Sequence, residues 1–407
     1  MPSSDDNCIL ISGAGPVGMI TGLYLARQGI PVKLFDTLAD IPADHRAATL
    51  QPSTLQMLDE IDMTSKLLAR GIESPMFQFR DRLTDEIVAE FDLGILKDET
   101  PYPYVLQIEQ HKTVAIAYDI AQKLDCFEIQ REREVISASQ SDVGVEIVVR
   151  LPDGTEEQHK GRYLIGCDGG RSITRKSQDI DFPGFTWNER FIIVATHFDF
   201  AAAGGYRFRN YVAHPSQWCA LMKVPGEEDE GLWRCLFPAM TDEPDEVVTS
   251  NEWIQARFQE CYDFQESYNI VHRNLYKVHQ RVAEKFRLGR VMLAGDAAHV
   301  NNPIGGMGMN SGIHDGINLA EKIGRVWRGE ADEDIFDLYD RQRRPMAEKY
   351  VQAQTIQNKE TLQETDPEAR QKRLDGLRAI AADKTQHIEY LRRASLIAMV
   401  EEANSIT

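Results

Sequence analysis

A chain of 407 residues, 42% hydrophobic and 27% charged, has the composition of an ordered globular protein with room for more than one core. Its 64 acidic and 45 basic side chains give a formal net charge of −19, which argues against a partner gripped by its phosphates, so no nucleic acid is expected. No stretch approaches the ~18 apolar residues of a membrane span, and "MPSSDDNCILISGAG" lacks the basic and apolar regions of a signal peptide, so a cytoplasmic location is expected. The six cysteines fall without a CxxC pair or a metal-ligand spacing, which fits buried free thiols and no metal.

In chain order, residues 8–12 read as a short buried strand, 13–18 as a turn, and 19–27 as a helix stopped by Gly29. "IPVKLFD" follows as a second strand ending at Asp36, which completes a βαβ unit with an expected right-handed crossover. "LQPSTLQMLDEIDMTSKLLARG" reads as one helix, with Pro52 near its start and Gly71 past its end. "SPMFQFRDRLTDEIVAEFD" alternates like a hairpin, 112–123 reads as a helix, and 134–170 as a run of strands turning at Asp153-Gly154. The segment 191–237 is aromatic-rich and strand-like, with "PGEEDEG" as a solvated hairpin loop. "VMLAGDAAH" is one more apolar strand, and the charged chain after Tyr339 is helical, with Gly376 its only glycine turn.

Three segments carry chemistry. In "GAGPVG", Gly13 permits a tight turn, Gly15 lets a pyrophosphate approach the backbone, and Gly18 lets helix and sheet pack closely. The amides that open the helix, around Pro16 and Val17, favour an anion without any lysine. Asp36 is placed to accept hydrogen bonds from a ribose, so a dinucleotide is expected, NAD and FAD fitting equally. In "YLIGCDGGRSITRK" an apolar strand delivers Asp168 before Arg171, Ser172 and Arg175; a turn with a salt-bridged helix start is the bland alternative. The third segment, "VMLAGDAAHVNNPIGGMGMNSGIHDGINLAEKIG", puts Asp296 after a strand and then Gly305, Gly306 and Gly308. Glycine weakens strands and helices alike, so this backbone must lie close to something.

Together, in this order and tens of residues apart, these segments resemble the single-component FAD-dependent aromatic hydroxylases, the p-hydroxybenzoate hydroxylase-like flavoprotein monooxygenases. The resemblance implies an α/β fold: a Rossmann-like FAD-binding domain with a parallel sheet (1–75, 101–180 and 286–345), an inserted, mainly antiparallel substrate domain (76–100 and 181–285), and a C-terminal helical segment (346–407). It implies that Gly13, Gly15, Pro16, Val17 and Gly18 hold the FAD pyrophosphate, Asp36 the adenosine ribose and Arg46 the phosphates. Gln107 and Asp296 fall near the ribityl chain, and Asp168 serves both FAD and the nicotinamide. Gly306, Gly308, Met309 and Asn310 meet the flavin ring, where the positive end of the helix favours the reduced, anionic flavin.

The implied reaction is hydroxylation of a phenol-like or heteroaromatic ring with NADPH or NADH as transient co-substrate and molecular oxygen, through a flavin hydroperoxide. Catalytic side chains are left unassigned, with Pro303, His197, Tyr211 and His214 as candidates. Arg207, Arg209 and Arg234 are candidates for pairing with an anionic substrate, and His299 and His314 fit either the flavin loop or the core. The alternatives are a same-fold reductase or oxidase, or a flavin-holding protein with little turnover. Monomer and homodimer both remain open.

Overall fold

A computed structural model describes residues 7–43, 47–227 and 231–407. A six-stranded sheet carries the opening motif, in the order Arg287–Leu288, Val291–Leu293, Tyr163–Gly166, Ile9–Ser12, Val32–Phe35, Phe127–Gln130. All neighbours run parallel except the edge hairpin at 287–293. Ile9, Leu10 and Ile11 are each fully buried, because helices cover one face and a three-stranded antiparallel sheet (134–161) covers the other. That two-sided burial is why the first strand is continuously apolar and does not alternate.

The helix Pro16–Arg27 starts on a proline, and the helix Gly308–Trp327 crosses it. The crossing explains two glycines of the third segment. A Cβ on Gly312 would meet Val17 Cγ2 at 2.7 Å, and one on Gly316 would meet Thr21 Oγ1 at 2.0 Å. Both glycines serve close helix packing.

An eight-stranded sheet stands beside this body, in the order His299–Val300, Ile270–Val282, Gly184–Thr196, Leu232–Met240, Cys219–Val224, Arg209–Ala213, Met76–Asp81, Glu86–Asp92. It is antiparallel apart from the pairing of Arg209–Ala213 with Met76–Asp81. The edge strand His299–Val300 pairs with Val282 and Arg281 directly after the Asp296 turn, so the third segment passes from one sheet to the other.

Two expectations need correction. Residues 51–71 form two helices, Pro52–Asp59 and Thr64–Leu68, because Asp62 takes a left-handed conformation (φ 55°) while Ile61 and Met63 turn into the core. Gly376 marks no turn: it lies within the helix Pro367–Ala382, whose limits are set by Asp366 and by the cap at Asp383.

The C-terminal helices brace the third segment from behind. A π-helical stretch, Ala347–Gln352, separates Ile335–Met346 from Ala353–Gln363. From these helices Gln352 donates to the Val300 carbonyl (2.9 Å) and Asn358 to that of Ile304 (3.2 Å), while Asn302 donates to the Thr355 carbonyl (3.0 Å). Met307 is buried among Met346, Tyr350, Val351, Leu396 and Met399.

Candidate functional site

The fold brings the three segments together at the C-terminal ends of the parallel strands, where open α/β sheets bind ligands. Gly13 has φ +100°, and a Cβ there would stand 2.4 Å from the Cys167 carbonyl oxygen. A Cβ on Gly18 would fall 1.9 Å from the Gly13 oxygen, whereas Gly15 has nothing within 4 Å. Two glycines are therefore fixed by packing, and the third leaves open space before a helix that no side chain caps. Asp36 accepts hydrogen bonds from the Ala14 amide (2.6 Å) and the Leu38 amide (2.8 Å), which ties the end of the second strand to the loop.

In the second segment, Asp168 Oδ2 accepts from the Thr174 amide (2.9 Å) and hydroxyl (3.0 Å), while its buried Oδ1 has no partner among the described residues. Arg175 donates to the carbonyls of Gly170 (2.9 Å) and Ala297 (2.8 Å), joining the second segment to the third. Within the third, Asn310 is fully buried and donates to the carbonyls of Thr49 (2.8 Å) and Gly306 (2.7 Å), while its own oxygen accepts from the Gln51 amide (2.8 Å). Its side chain is thus a clamp on the glycine loop. Gln107 Oε1 accepts from the Thr49 hydroxyl (2.8 Å), and its buried Nε2 has no partner among the described residues.

These segments line one open cavity. Gly15, Pro16, Val17 and Asp296 stand on one side, and Pro303, Gly306, Gly308 and Met309 form a ledge ending in the uncapped start of the Gly308–Trp327 helix. The opposite wall is the eight-stranded sheet. Ile193, Leu236 and Ala220 lie in one register row, and Arg234 and Met222 in the next, so they share the face that looks into the cavity; Tyr276 completes the wall. Among the described lining residues Arg234 is the one cation, and it is only 6% exposed.

The donors and acceptors suit FAD. An uncapped helix start beside the open Gly15 backbone fits a pyrophosphate. Gln107 Nε2 and Asp168 Oδ1 do not line the cavity themselves, but they stand beside its lining residues Thr49, Cys167 and Gly169, and among the described residues they are a buried donor and a buried acceptor without a partner.

Of the other residues expected at the site, Pro303 lines the cavity and Arg46 lies outside the described residues. The three remaining catalytic candidates are not brought to it. His197 is exposed, just past the end of the strand Gly184–Thr196. His214 accepts from the amides of Ser216 (3.2 Å) and Gln217 (3.0 Å) in a turn, and burial, then Arg82, lowers its pKa. Tyr211 shares the register row of Ala220 but sits one strand further out, where its hydroxyl accepts from Arg209 and its ring stacks on Phe79. Arg207 pairs with Glu90 at the surface (2.9 Å).

The two histidines of the third segment belong to a buried polar network. His299 meets Asp315 Oδ2 at 2.8 Å, the Gly295 amide donates to the same oxygen (3.2 Å), and Arg343 Nε donates to Oδ1 (2.7 Å). Burial alone would raise the Asp315 carboxyl, yet Arg343 and His299 outweigh it and hold the group below the usual carboxylate range. The carboxylate so fixed anchors the turn that presents Asp296. His314 meets the Thr54 hydroxyl at 2.8 Å, and burial, then Arg343, pushes its pKa down to about 3. Thr49, Met222, Tyr276 and Asp315 escaped sequence reasoning; only strand register and helix packing reveal them.

A profile described as an FAD binding domain matches residues 6–354. The chain is 31% identical over 365 residues to the para-nitrophenol 4-monooxygenase of Pseudomonas sp. (strain WBC-3), with 89% of each protein covered. It is 28% identical over 391 residues to the 6-hydroxy-3-succinoylpyridine 3-monooxygenase of Pseudomonas putida (strain DSM 28022 / S16), covering 94% of this chain and 96% of that one. The crystal structure of p-nitrophenol 4-monooxygenase from Pseudomonas putida DLL-E4 superposes with a TM-score of 0.90 at 28% identity over 98% of each chain.

Proposed function

The chain belongs to the FAD-binding aromatic monooxygenases, which hydroxylate a ring using NAD(P)H and molecular oxygen, and from its cavity we infer that the substrate is a small acidic phenol or hydroxypyridine bound as its anion. The observation that carries this reading is Arg234, a buried cation in a wall otherwise built from Ile193, Ala220, Met222, Leu236 and Tyr276. An apolar wall favours a ring, and one cation in it favours a ring bearing negative charge. The names of two relatives, which act on a nitrophenol and a hydroxypyridine, point the same way: each ring bears a hydroxyl.

FAD, when bound, carries electrons from NAD(P)H to molecular oxygen and delivers one oxygen atom to the ring. The chain's own part is to hold and to exclude. The 13–18 loop and Asp36 would grip the adenosine and pyrophosphate half, with Asp168, Asp296 and Gln107 along the middle. The Gly308–Trp327 helix directs its uncapped amides at the ledge and favours negative charge there. Pro303 contributes a rigid rim without an amide donor. Arg234 would orient the ring and keep its hydroxyl ionised, while Ile193, Met222 and Leu236 keep water away.

The test is substrate-dependent NADH and NADPH oxidation by the FAD-loaded enzyme with nitrophenols, halophenols, hydroxypyridines and their O-methyl ethers, with product analysis. Turnover of the free phenols to hydroxylated products, with the ethers inert, is expected. Equal turnover of phenol and ether removes the anion from the reading.

A further inference from the structure

On the face of the eight-stranded sheet away from the cavity, two thiols 42 positions apart in sequence are in contact. Cys219 opens the strand Cys219–Val224, Cys261 ends the helix Asn251–Cys261, and their sulfurs are 3.2 Å apart. Cys219 is fully buried, whereas Cys261 is partly exposed. Beside them Arg82 closes the helix end: its Nε donates to the Glu260 carbonyl (2.7 Å), and its Nη2 lies 3.5 Å from Cys261 Sγ.

The surroundings make the two sulfurs unequal. The hydrogen bond from Cys219 lowers the Cys261 thiol and Arg82 adds to the effect, against burial and Glu260; burial first, then contact with Cys261, raises Cys219. The end of a helix disfavours a thiolate, which is why the guanidinium matters here. Cys261, partly exposed and the more readily ionised of the two, is thus the sulfur placed to react first, and Cys219 is the neighbour in contact that can resolve it. Cys235, on the adjacent strand, is fully buried.

We propose that Cys219 and Cys261 form a peroxide-oxidised, reversible disulfide that staples the substrate sheet to the helix Asn251–Cys261. The oxidant is hydrogen peroxide, the product when NAD(P)H is oxidised by oxygen without a ring being hydroxylated. The Cys261 thiolate attacks one peroxide oxygen, an S–O bond forms as O–O breaks, and the departing hydroxide takes a proton to become water. The Cys219 sulfur then gives up its proton and attacks the Cys261 sulfur; S–S forms, S–O breaks, and hydroxide leaves with that proton as a second water. Two thiols lose two electrons, and one peroxide gains them. The sulfurs need to close from 3.2 Å to about 2.05 Å.

The experiment treats the FAD-loaded enzyme with a small excess of hydrogen peroxide, without NAD(P)H, and then counts thiols after denaturation and maps peptides under non-reducing conditions. Two of the six thiols should disappear. A Cys219–Cys261 peptide should appear, dithiothreitol should restore both thiols, and C235A should leave the result unchanged. C219S should lose the linkage and leave Cys261 to oxidise further. The proposal is overturned if all thiols survive peroxide that oxidises a free cysteine peptide, if the linkage involves Cys235, or if wild-type Cys261 is over-oxidised without a linkage.

Discussion

Arg209 Nη2 lies 3.2 Å from the carbonyl oxygen of Gly305, holding from behind the loop whose other side lines the cavity. Gln51 Nε2 reaches the same oxygen at 3.1 Å. Arg209 pairs in register with Met222, so it points to the cavity face of the sheet one strand beyond the wall. Its remaining partners are the Tyr211 hydroxyl and the rings of Phe77 and Tyr211, and among the described residues it forms no ion pair with a carboxylate. A buried cation of this kind both fixes the loop and favours negative charge above it. Replacing Arg209 with Met should weaken FAD binding about tenfold, roughly 1.4 kcal/mol, with Lys intermediate. Equilibrium titration of the apoprotein with FAD, followed by flavin fluorescence, checks this; unchanged affinity in Arg209→Met would sink the idea.

The glycines of the first loop should separate stability from binding. Gly15 has φ −66° and ψ −176°, a conformation open to any residue, with nothing near its missing Cβ. Gly15→Ala should therefore melt like the parent as apoprotein and still bind FAD at least tenfold more weakly (~1.4 kcal/mol). In Gly18→Ala the new carbon falls 1.9 Å from the Gly13 oxygen, so the fold itself should lose about 2–4 kcal/mol. Thermal melts of the two apoproteins that coincide would contradict this division of roles.

Gln107 Nε2 is buried without a partner among the described residues, while Oε1 is held by Thr49. Gln107→Leu removes an unsatisfied donor from the apoprotein but also the acceptor of the Thr49 hydroxyl, so the two effects oppose and stability should fall by no more than about 1–2 kcal/mol. The same change deletes a donor that FAD would meet, and affinity should fall about five- to tenfold, near 1 kcal/mol. Urea unfolding of the apoprotein and FAD titration, run side by side, distinguish this from a structural role, in which stability falls and affinity holds.

The parts of the candidate site that sequence made legible are those that one local run of chain carries. Gly13, Gly15, Gly18 and Asp36 lie within one βαβ unit, and Asp296 with the 303–309 ledge within one short stretch of chain. Of the opposite wall only Arg234 was named from the sequence, because Ile193, Met222 and Tyr276 come from separate strands and only register decides which share a face. The same rule misplaced His197, one residue past its strand's end, and Tyr211, in the right row but one strand too far. Gly312 and Gly316, which the sequence left without a role, accommodate a second helix far off in sequence. His299 was ambiguous for a similar reason, since its partner Asp315 sits on the other side of the loop.

Acid should expose the third segment's buried network in two stages. His314 titrates at about 3 in the folded chain, against about 6.5 in an unfolded one. As pH falls from about 6.5 towards 3, the unfolded chain takes up a proton that the folded chain refuses, and stability drops by up to about 1.4 kcal/mol per pH unit. Asp315 acts lower down: its depressed carboxyl stabilises the fold above about 3.9, and that contribution is lost only as pH falls further, through its folded value. Between pH 6.5 and 4, then, His314 titrates while Asp315 stays charged in both states. His111, His214, His279 and His387 also sit below the usual histidine value, so the slope of the parent alone is not diagnostic. The informative quantity is the difference between the parent and His314→Gln, each unfolded in urea at half-unit steps of pH. The variant should start less stable at pH 7, having lost a packed ring and its bond to Thr54, and the gap should narrow as pH falls. Parallel curves would mean that His314 is charged in the folded protein, and would place a compensating anion beside it.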